Sequence, residues 1–201
     1  MDYISESELS VIVQKVISNI AGMQSHSSPE GQALSTLTKN EDPACSNSKS
    51  RTIAIGSDHG GFDMKTTLIV YLKELGHKII DCGTNSKDSV DYPDFALAVA
   101  EQLGQGHACC GIVIDGAGIG SCMAANKVPG IRAAMCYDYA SAVNSREHNN
   151  ANVLTLGAGL LGINQVKLIV KTWLDTEFGG GRHQARIDKI TAIEKRFIKD
   201  Y

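Results

Sequence analysis

Five short apolar runs, separated by segments with helical periodicity, constrain the fold of this chain more than any other feature of its sequence. Apolar runs of this length, without polar alternation, are typical of strands that are buried on both faces of a sheet. Strands joined by helical crossovers run parallel. The sequence therefore predicts an α/β protein, a three-layer αβα sandwich with a five-stranded parallel sheet. The predicted strands lie near 52–56, 78–82, 111–115, 131–136 and 152–156.

The composition limits the class of protein. The chain has 201 residues, of which 43% are hydrophobic, enough for one domain core with an appendage. A net charge of −3 gives no broad positive field, so we expect no nucleic acid partner. No apolar run approaches the roughly 20 residues that a membrane span needs, and no secretory signal is recognisable. The six cysteines have no C-x-x-C spacing, which favours reduced thiols in a soluble, cytoplasmic protein.

The N-terminal part predicts a helix that is tethered to the main domain. Residues 1–21 contain a capping box at Ser5 and Glu8, followed by apolar residues at helical spacing. Residues 22–50 are rich in Ser, Asn, Gly and Pro and predict a flexible linker, after which the main domain occupies 51–201. Two interpretations stay open: the helix folds back on its own domain, or it docks on a partner surface.

Polar residues follow the predicted strands at the end where a parallel sheet binds its ligands. Asp58 and His59 follow the first strand, and Asp115 follows the third. The pair Asp58 and His59 is either a helix cap with a surface histidine or a pair that holds the hydroxyls of a polar ligand. For Asp115 the alternatives are a catalytic base, a ribose clamp and a cap on the next helix.

A glycine loop separates Asp115 from a helix predicted from about 119 to 126. The N–H groups of Gly116, Gly118 and Gly120 can converge on an anion or on a developing oxyanion. A dinucleotide fingerprint, G-x-G-x-x-G, would need glycine where this chain has Ser121, so we expect no nicotinamide cofactor. The ribose clamp is therefore not favoured.

A second set of candidate residues lies near the C-terminus. Arg182 and Arg186 are four residues apart, on one face of a helix that follows three glycines, and suit a phosphate unless they are only solvated. His148, between the fourth helix and the fifth strand, is either an interior histidine or an acid/base group. We find no metal-ligand spacing and no nucleophile–base pair. The whole set favours proton transfer next to a carbonyl over hydrolysis or hydride transfer.

Five segments between about residues 51 and 197 form a longer pattern: GSDHGGF (56–62), DYPDFA (91–96), NKVPGIRAA (126–134), SREHNNANVLTLG (145–157) and GGRHQARI (180–187). In this order they resemble the ribose-5-phosphate isomerase B and galactose-6-phosphate isomerase family. The resemblance implies a Rossmann-like sheet and an aldose–ketose isomerase that converts a phosphorylated sugar through an enediolate, without metal or cofactor. It also implies a homodimer or homotetramer with active sites shared between subunits.

The resemblance also implies roles for individual residues. His148 is expected to help to open the sugar ring, and Arg182 and Arg186 to bind the phosphate with His59 or His183. The glycine loop is expected to stabilise the enediolate. The substrate-binding residues implied in this way are Asp58, His59, Tyr92, Gly116, Gly118, Gly120, Asn149, Arg182, His183 and Arg186.

Four positions depart from the family pattern. Asp115 stands where many members have a cysteine base, and Ser121 stands where others have a glutamate base. Ala117 replaces a Thr or Ser whose hydroxyl aids ring opening, and Gly159 replaces a phosphate-binding arginine. Because a carboxylate is ionised at neutral pH, Asp115 is predicted to be the base. The alternative is a non-catalytic or altered-substrate binding protein on the same fold.

The tethered N-terminal helix resembles the encapsulation peptides that attach enzymes to bacterial microcompartment shells. This is a resemblance of type: a short amphipathic helix, a linker of small residues and an enzyme domain. It implies a shell protein as a partner and a location inside a microcompartment.

Overall fold

The computed structural model describes residues 50–198, which form a three-layer αβα sandwich; the predicted helix over 1–21 and nearly all of the linker lie outside the described residues. The strands are β1 (Thr52–Ser57), β2 (Lys78–Asp81), β3 (Cys110–Asp115), β4 (Ala133–Met135) and β5 (Val153–Gly157). The helices are α1 (Phe62–Glu74), α2 (Tyr92–Gly104), α3 (Ile119–Ala125), α4 (Tyr139–Glu147), α5 (Ile163–Asp175) and α6 (Arg182–Phe197).

All five strands belong to one parallel sheet, in the order β2-β1-β3-β5-β4, which confirms the predicted fold. Strand β4 at the edge is shorter than the 131–136 expected from its apolar run. The N–H of Arg132 donates to Oδ1 of Asn152 at 2.7 Å, so a side chain replaces the sheet partner there. The apolar residue Ile131 before it packs into the core without joining the sheet.

The sheet has a hydrophobic core on each face, because the helices are divided between its two sides. Helices α1, α4 and α5 cover one face, where Leu68, Trp173 and Ile169 are completely buried against β1, β3 and β5. Helices α2 and α3 cover the other face, where Val99 and Ala125 pack against β1 and β3. No helix between residues 50 and 198 is long and apolar enough to cross a bilayer.

The direction of each helix decides at which edge of the sheet a residue lies. Each crossover helix starts where a strand ends, at the carboxyl edge of the sheet, and returns the chain to the amino edge. Because the longer strands have six residues, the two edges are about 20 Å apart, at roughly 3.3 Å per residue. Residues that follow a strand and residues that follow a helix are thus separated by the length of the strands.

A buried lysine was not expected from the sequence. Lys65 on α1 is 2% exposed, and its Nζ donates to Oδ1 of Asp81 at 2.5 Å, at the end of β2. Lysine is rarely buried unless it is paired, because the charged ammonium loses its hydration. The carboxylate of Asp81 therefore stabilises the contact between α1 and the edge of the sheet.

We expect Asp81→Asn to lower the free energy of unfolding by about 1–3 kcal/mol, because it leaves the Lys65 ammonium buried without its anion. The matched control is Asp63→Asn, which breaks the 2.7 Å pair of Lys87 and Asp63, whose side chains are 63% and 75% exposed. The control should cost less than about 1 kcal/mol. Urea unfolding of both variants measures the difference, and equal losses would contradict this role of Asp81.

Candidate active site

Asp58 lies at the carboxyl edge and has one occupied and one open oxygen. Its Oδ1 accepts a hydrogen bond from the N–H of Gly61 at 3.0 Å, which caps the short 3-10 turn before α1. The side chain is almost completely buried, yet Oδ2 has no hydrogen-bond partner among residues 50–198. The two alternatives that the sequence left open, a cap and a ligand-binding group, are therefore compatible in one side chain.

His59, in the turn after β1, contacts the segment before α2, and Tyr92, in the first turn of α2, contacts the glycine loop. The Nδ1 atom of His59 lies 3.2 Å from both the N and the O of Val90. The ring of Tyr92 lies directly on Gly120: a Cβ at that position would be 2.5 Å from the ring. A methyl group placed on Gly60 would lie 3.3 Å from Oδ1 of Asp58 and 3.8 Å from the N of Gly116. Asp58, Tyr92 and the loop therefore converge.

The carboxylate of Asp115 is directed into its own loop. Its Oδ1 accepts hydrogen bonds from the N–H groups of Ala117, at 2.8 Å, and of Gly118. Its Oδ2 accepts from the N–H of Ser121 at 2.9 Å and from the Ser121 hydroxyl at 2.5 Å. The residue is 4% exposed. This arrangement corresponds to the third alternative raised by the sequence, a cap on the following helix.

These hydrogen bonds decide the charge of Asp115. Burial alone would raise the pKa of the carboxyl group, but the hydroxyl of Ser121 and the N–H groups of Gly118, Ser121 and Ala117 outweigh it. The pKa therefore lies below its ordinary value, and the group is an anion at neutral pH. A carboxylate held in this way is a weaker proton acceptor, and the role of Asp115 as the base stays a prediction.

The backbone of the glycine loop has open N–H groups, while its carbonyl groups accept hydrogen bonds from residues in or after the neighbouring strands. Gly118 has a φ of +79°, which suits glycine. The N–H groups of Gly116, Ile119 and Gly120 have no acceptor among residues 50–198 and are available to a ligand. The three loop carbonyls accept as follows: Gly116 from the N–H of Gly159, Ala117 from the hydroxyl of Tyr137 and Gly118 from the hydroxyl of Thr155, each at 2.9 Å.

A second group of predicted residues gathers at the amino edge. His148 ends α4, and its ring stacks on the ring of His183 at the start of α6, with 4.1 Å between centroids and 5° between planes. Asn144 lies beside both His148 and Asn149: its Nδ2 is 2.8 Å from Nδ1 of His148, and its carbonyl accepts from Asn149 at 3.2 Å. The N–H of Gly179 donates to the carbonyl of Glu147, which fixes the glycine segment to the end of α4.

The amino-edge group is electropositive. Partial desolvation, followed by the positive field of His148, Arg182 and Arg186, lowers the pKa of His183. Neither arginine has a carboxylate within ion-pair distance in the described part of the chain. Two guanidinium groups one helical turn apart beside two imidazoles form a surface suited to a phosphate dianion.

The predicted site residues thus form two groups at opposite edges of the sheet. Within residues 50–198 no hydrogen bond, ion pair or ring contact joins one group to the other. The carboxyl-edge group has the loop and the carboxylates but no arginine, whereas the amino-edge group has the arginines but no oxyanion loop. In the same range no three His, Cys, Asp or Glu side chains come together as a metal site requires. The carboxyl-edge group comprises Asp58, His59, Tyr92, Asp115, Gly116, Gly118 and Gly120, and the amino-edge group His148, Asn149, Arg182, His183 and Arg186.

Three residues whose hydroxyl groups hold the loop or its aspartate were not among the predicted site residues: Ser121, Tyr137 and Thr155. A hydroxyl inside the buried strand β5 is the one local signal for Thr155, because a buried polar group needs a partner. Ser121 and Tyr137 act through contacts that form only in the folded chain.

The chain is similar to known sugar-phosphate isomerases over most of the part that the structure describes. The profile of the Ribose/Galactose Isomerase family matches residues 53–190. Ribose-5-phosphate isomerase B of Escherichia coli is 45% identical over 146 residues, 73% of this chain and 98% of that protein. A structure of ribose-5-phosphate isomerase B from Clostridium thermocellum superposes with a TM-score of 0.73 at 52% identity and covers 73% of this chain and 99% of its own. D-erythrulose-4-phosphate isomerase of Pectobacterium atrosepticum is 41% identical over 144 residues, 71% of this chain and 95% of that protein.

Proposed function

We propose a specific reaction for this chain, which belongs to the ribose/galactose isomerase family: the interconversion of ribose 5-phosphate and ribulose 5-phosphate through an enediolate. The chain is a sugar-phosphate isomerase of the ribose-5-phosphate isomerase B type, an aldose–ketose isomerase. The observation that supports the proposed reaction is the division of its chemistry between the two groups. One group suits an enediolate, and the other suits a phosphate.

We propose that the complete site forms between two copies of the chain in a homodimer or a homotetramer. One chain holds its two groups about 20 Å apart, the length of a six-residue strand, which is too far for one pentose phosphate to reach both. A two-fold dimer brings the carboxyl-edge group of one subunit to the amino-edge group of the other, and does so twice. Each dimer then has two equivalent sites.

In the proposed site the phosphate binds Arg182 and Arg186, with His183 or His59 as a further donor. Bidentate guanidinium contacts fix the far end of the sugar, so that its carbonyl end lies at the loop. The proton that leaves the carbon next to the carbonyl passes to a carboxylate of this edge, either Asp115 as predicted from the sequence or Asp58 through its open Oδ2. The N–H groups left open in the loop stabilise the negative charge of the enediolate, because they are fixed before the charge develops. His148 assists ring opening, and Asn149 contacts the sugar.

A second candidate substrate is a tetrose 4-phosphate, and one position of the chain favours it. Ala117 carries no hydroxyl that could aid ring opening. A tetrose 4-phosphate cannot close a furanose ring, because the oxygen that would close it is esterified, so it needs no group to open a ring. The relative from Pectobacterium atrosepticum bears the name of such an enzyme.

A coupled assay of the full chain with ribose 5-phosphate and with D-erythrulose 4-phosphate tests the two candidates. A higher kcat/KM for the pentose supports the proposed reaction, and a higher value for the tetrose supports the second candidate. Deuterium incorporation from D₂O at the carbon next to the carbonyl tests for the enediolate. Binding of both sugars without turnover or exchange would favour the alternative of a non-catalytic binding protein.

We also propose that the N-terminal segment directs the enzyme to a microcompartment shell. The capping box at Ser5 and Glu8 and the apolar stripe that follows support this, as does the separation from the enzyme domain by a linker. A fusion of residues 1–50 to a fluorescent protein, expressed in a compartment-forming bacterium, is expected to give punctate fluorescence. Diffuse fluorescence would favour the fold-back interpretation.

A further inference from the structure

We infer that Asp115 is a positioning residue that fixes the glycine loop from inside, and that the hydroxyl of Ser121 holds its carboxylate in place. The inference rests on the proposed isomerisation at the same loop. It gives Asp115 a different task from that of the base predicted from the sequence.

The first argument is that both carboxylate oxygens are occupied. An ionised carboxylate offers about four lone-pair positions. Asp115 uses Oδ1 for the N–H groups of Ala117 and Gly118, and Oδ2 for the N–H and the hydroxyl of Ser121. No position is left for a proton from a substrate carbon. At 4% exposure, the carboxylate also offers a substrate little surface to approach.

The second argument is that the same loop is held on its carbonyl side. The N–H of Gly159 and the hydroxyls of Tyr137 and Thr155 bind its three carbonyl groups. With Asp115 on the amide side, the backbone from Gly116 to Ser121 is fixed by bonds from two directions. Such fixed donors stabilise a developing charge without first having to reorganise, and this is how an oxyanion loop lowers a barrier.

Two hydroxyl deletions in the full-length chain test the inference. Ser121→Ala removes a hydrogen bond from the carboxylate, and the matched variant Tyr137→Phe removes one from a loop carbonyl. If Asp115 only fixes the loop, each variant should lower kcat by roughly 3- to 10-fold, as expected for one hydrogen bond. The acid limb of the kcat/KM profile against pH should stay at its wild-type position in both.

The opposite result has a distinct signature. If Asp115 is the base, Ser121→Ala removes the strongest interaction that keeps its pKa low, so the acid limb should move to higher pH. Tyr137→Phe does not contact the carboxylate and should not move the limb. A shift of the limb in Ser121→Ala alone would overturn the inference.

Asp115→Asn gives a second measurement. It keeps the size of the side chain but puts a donor opposite the N–H of Ser121, and we expect a loss of about 10- to 100-fold in kcat/KM. A loss beyond about 10⁴-fold without a change in Tm would identify a base. If this variant does not fold, the acid limbs of Ser121→Ala and Tyr137→Phe still decide whether Asp115 is a positioning residue or a base.

A stability measurement separates this inference from the proposed function. Because the folded-state pKa of Asp115 is depressed, the stability it contributes is present above the ordinary value of 3.8 and is lost as pH falls through the folded-state pKa. The difference in unfolding free energy between the wild type and Ser121→Ala should therefore narrow as pH falls below 3.8 towards the folded-state pKa. If the difference in unfolding free energy does not depend on pH, the inference is contradicted. If the wild type is inactive on every sugar phosphate, only the proposed function is contradicted.

Discussion

Replacing both Arg182 and Arg186 with glutamine is expected to lower kcat/KM for the sugar phosphate by about 10²- to 10⁴-fold. In the proposed site each guanidinium makes charged hydrogen bonds to the phosphate, worth about 1.5–3 kcal/mol apiece when nothing replaces them. Binding energy at the phosphate also holds the carbonyl end of the sugar at the loop, so kcat should fall together with affinity. Steady-state kinetics with the best substrate measures the loss.

The last turn of the same helix provides a matched control. Replacing Lys195 and Arg196 with glutamine also removes two positive charges from α6, but at the end that lies away from His148 and His183. This control should leave kcat/KM within about 2-fold of the wild type if long-range fields are screened by salt. Inhibition by inorganic phosphate provides a direct test of binding. An inhibition constant that is unchanged in the arginine double variant would show that the phosphate binds elsewhere.

Mixing two inactive variants is expected to restore about a quarter of the wild-type activity, on the symmetry of a two-fold dimer. One variant carries Asp58→Asn, which removes the open carboxylate oxygen at the carboxyl edge. The other carries the glutamine substitutions at Arg182 and Arg186. Random reassociation of equal amounts makes half of the dimers mixed, and one of the two sites in each mixed dimer has both groups intact. The activity of each variant alone and of the refolded mixture gives the answer.

A mixture of two variants with damage at the same edge provides the control. Gly120→Ala places a methyl group 2.5 Å from the Tyr92 ring and so disturbs the carboxyl edge, as Asp58→Asn does. Their mixture should recover nothing, because every site then keeps a damaged carboxyl-edge group. If the mixture of Asp58→Asn with the arginine double variant recovers no activity, although sedimentation shows that dimers are present, both groups of one site must come from a single chain.

The sequence was informative wherever a local pattern determines the structure. Apolar runs predicted the five strands to within a few residues, because an element buried on both faces cannot contain exposed polar positions. The glycines at 179–181 predicted the start of α6 at Arg182. The edge strand β4 was overestimated, since the side chain of Asn152 occupies the N–H of Arg132 there. Lys65 shows the same limit, because its burial depends on a distant carboxylate, Asp81.

The candidate site was harder to derive than the fold. The sequence names the candidate residues but not how they are grouped in space. The sequence around Asp58 and around Arg182 gives no local sign that the two lie at opposite edges of one sheet. That separation follows from the direction of α4 and α5, which return the chain from the carboxyl edge to the amino edge because all five strands run parallel. Asp115 shows a different limit. The same aspartate at the end of a strand is compatible with a base or with a cap, and the four hydrogen bonds that make it a cap appear only in the folded chain.

In the proposed dimer, the placement of the two groups at opposite edges of the sheet would also make catalysis sensitive to dilution. An isolated subunit would contain two half-sites and no whole one, so activity per milligram would fall once the protein is diluted below the dissociation constant of its dimer. At such concentrations the rate would rise with the square of the protein concentration. Confinement in a small volume, which keeps the local concentration high, would then act directly on turnover.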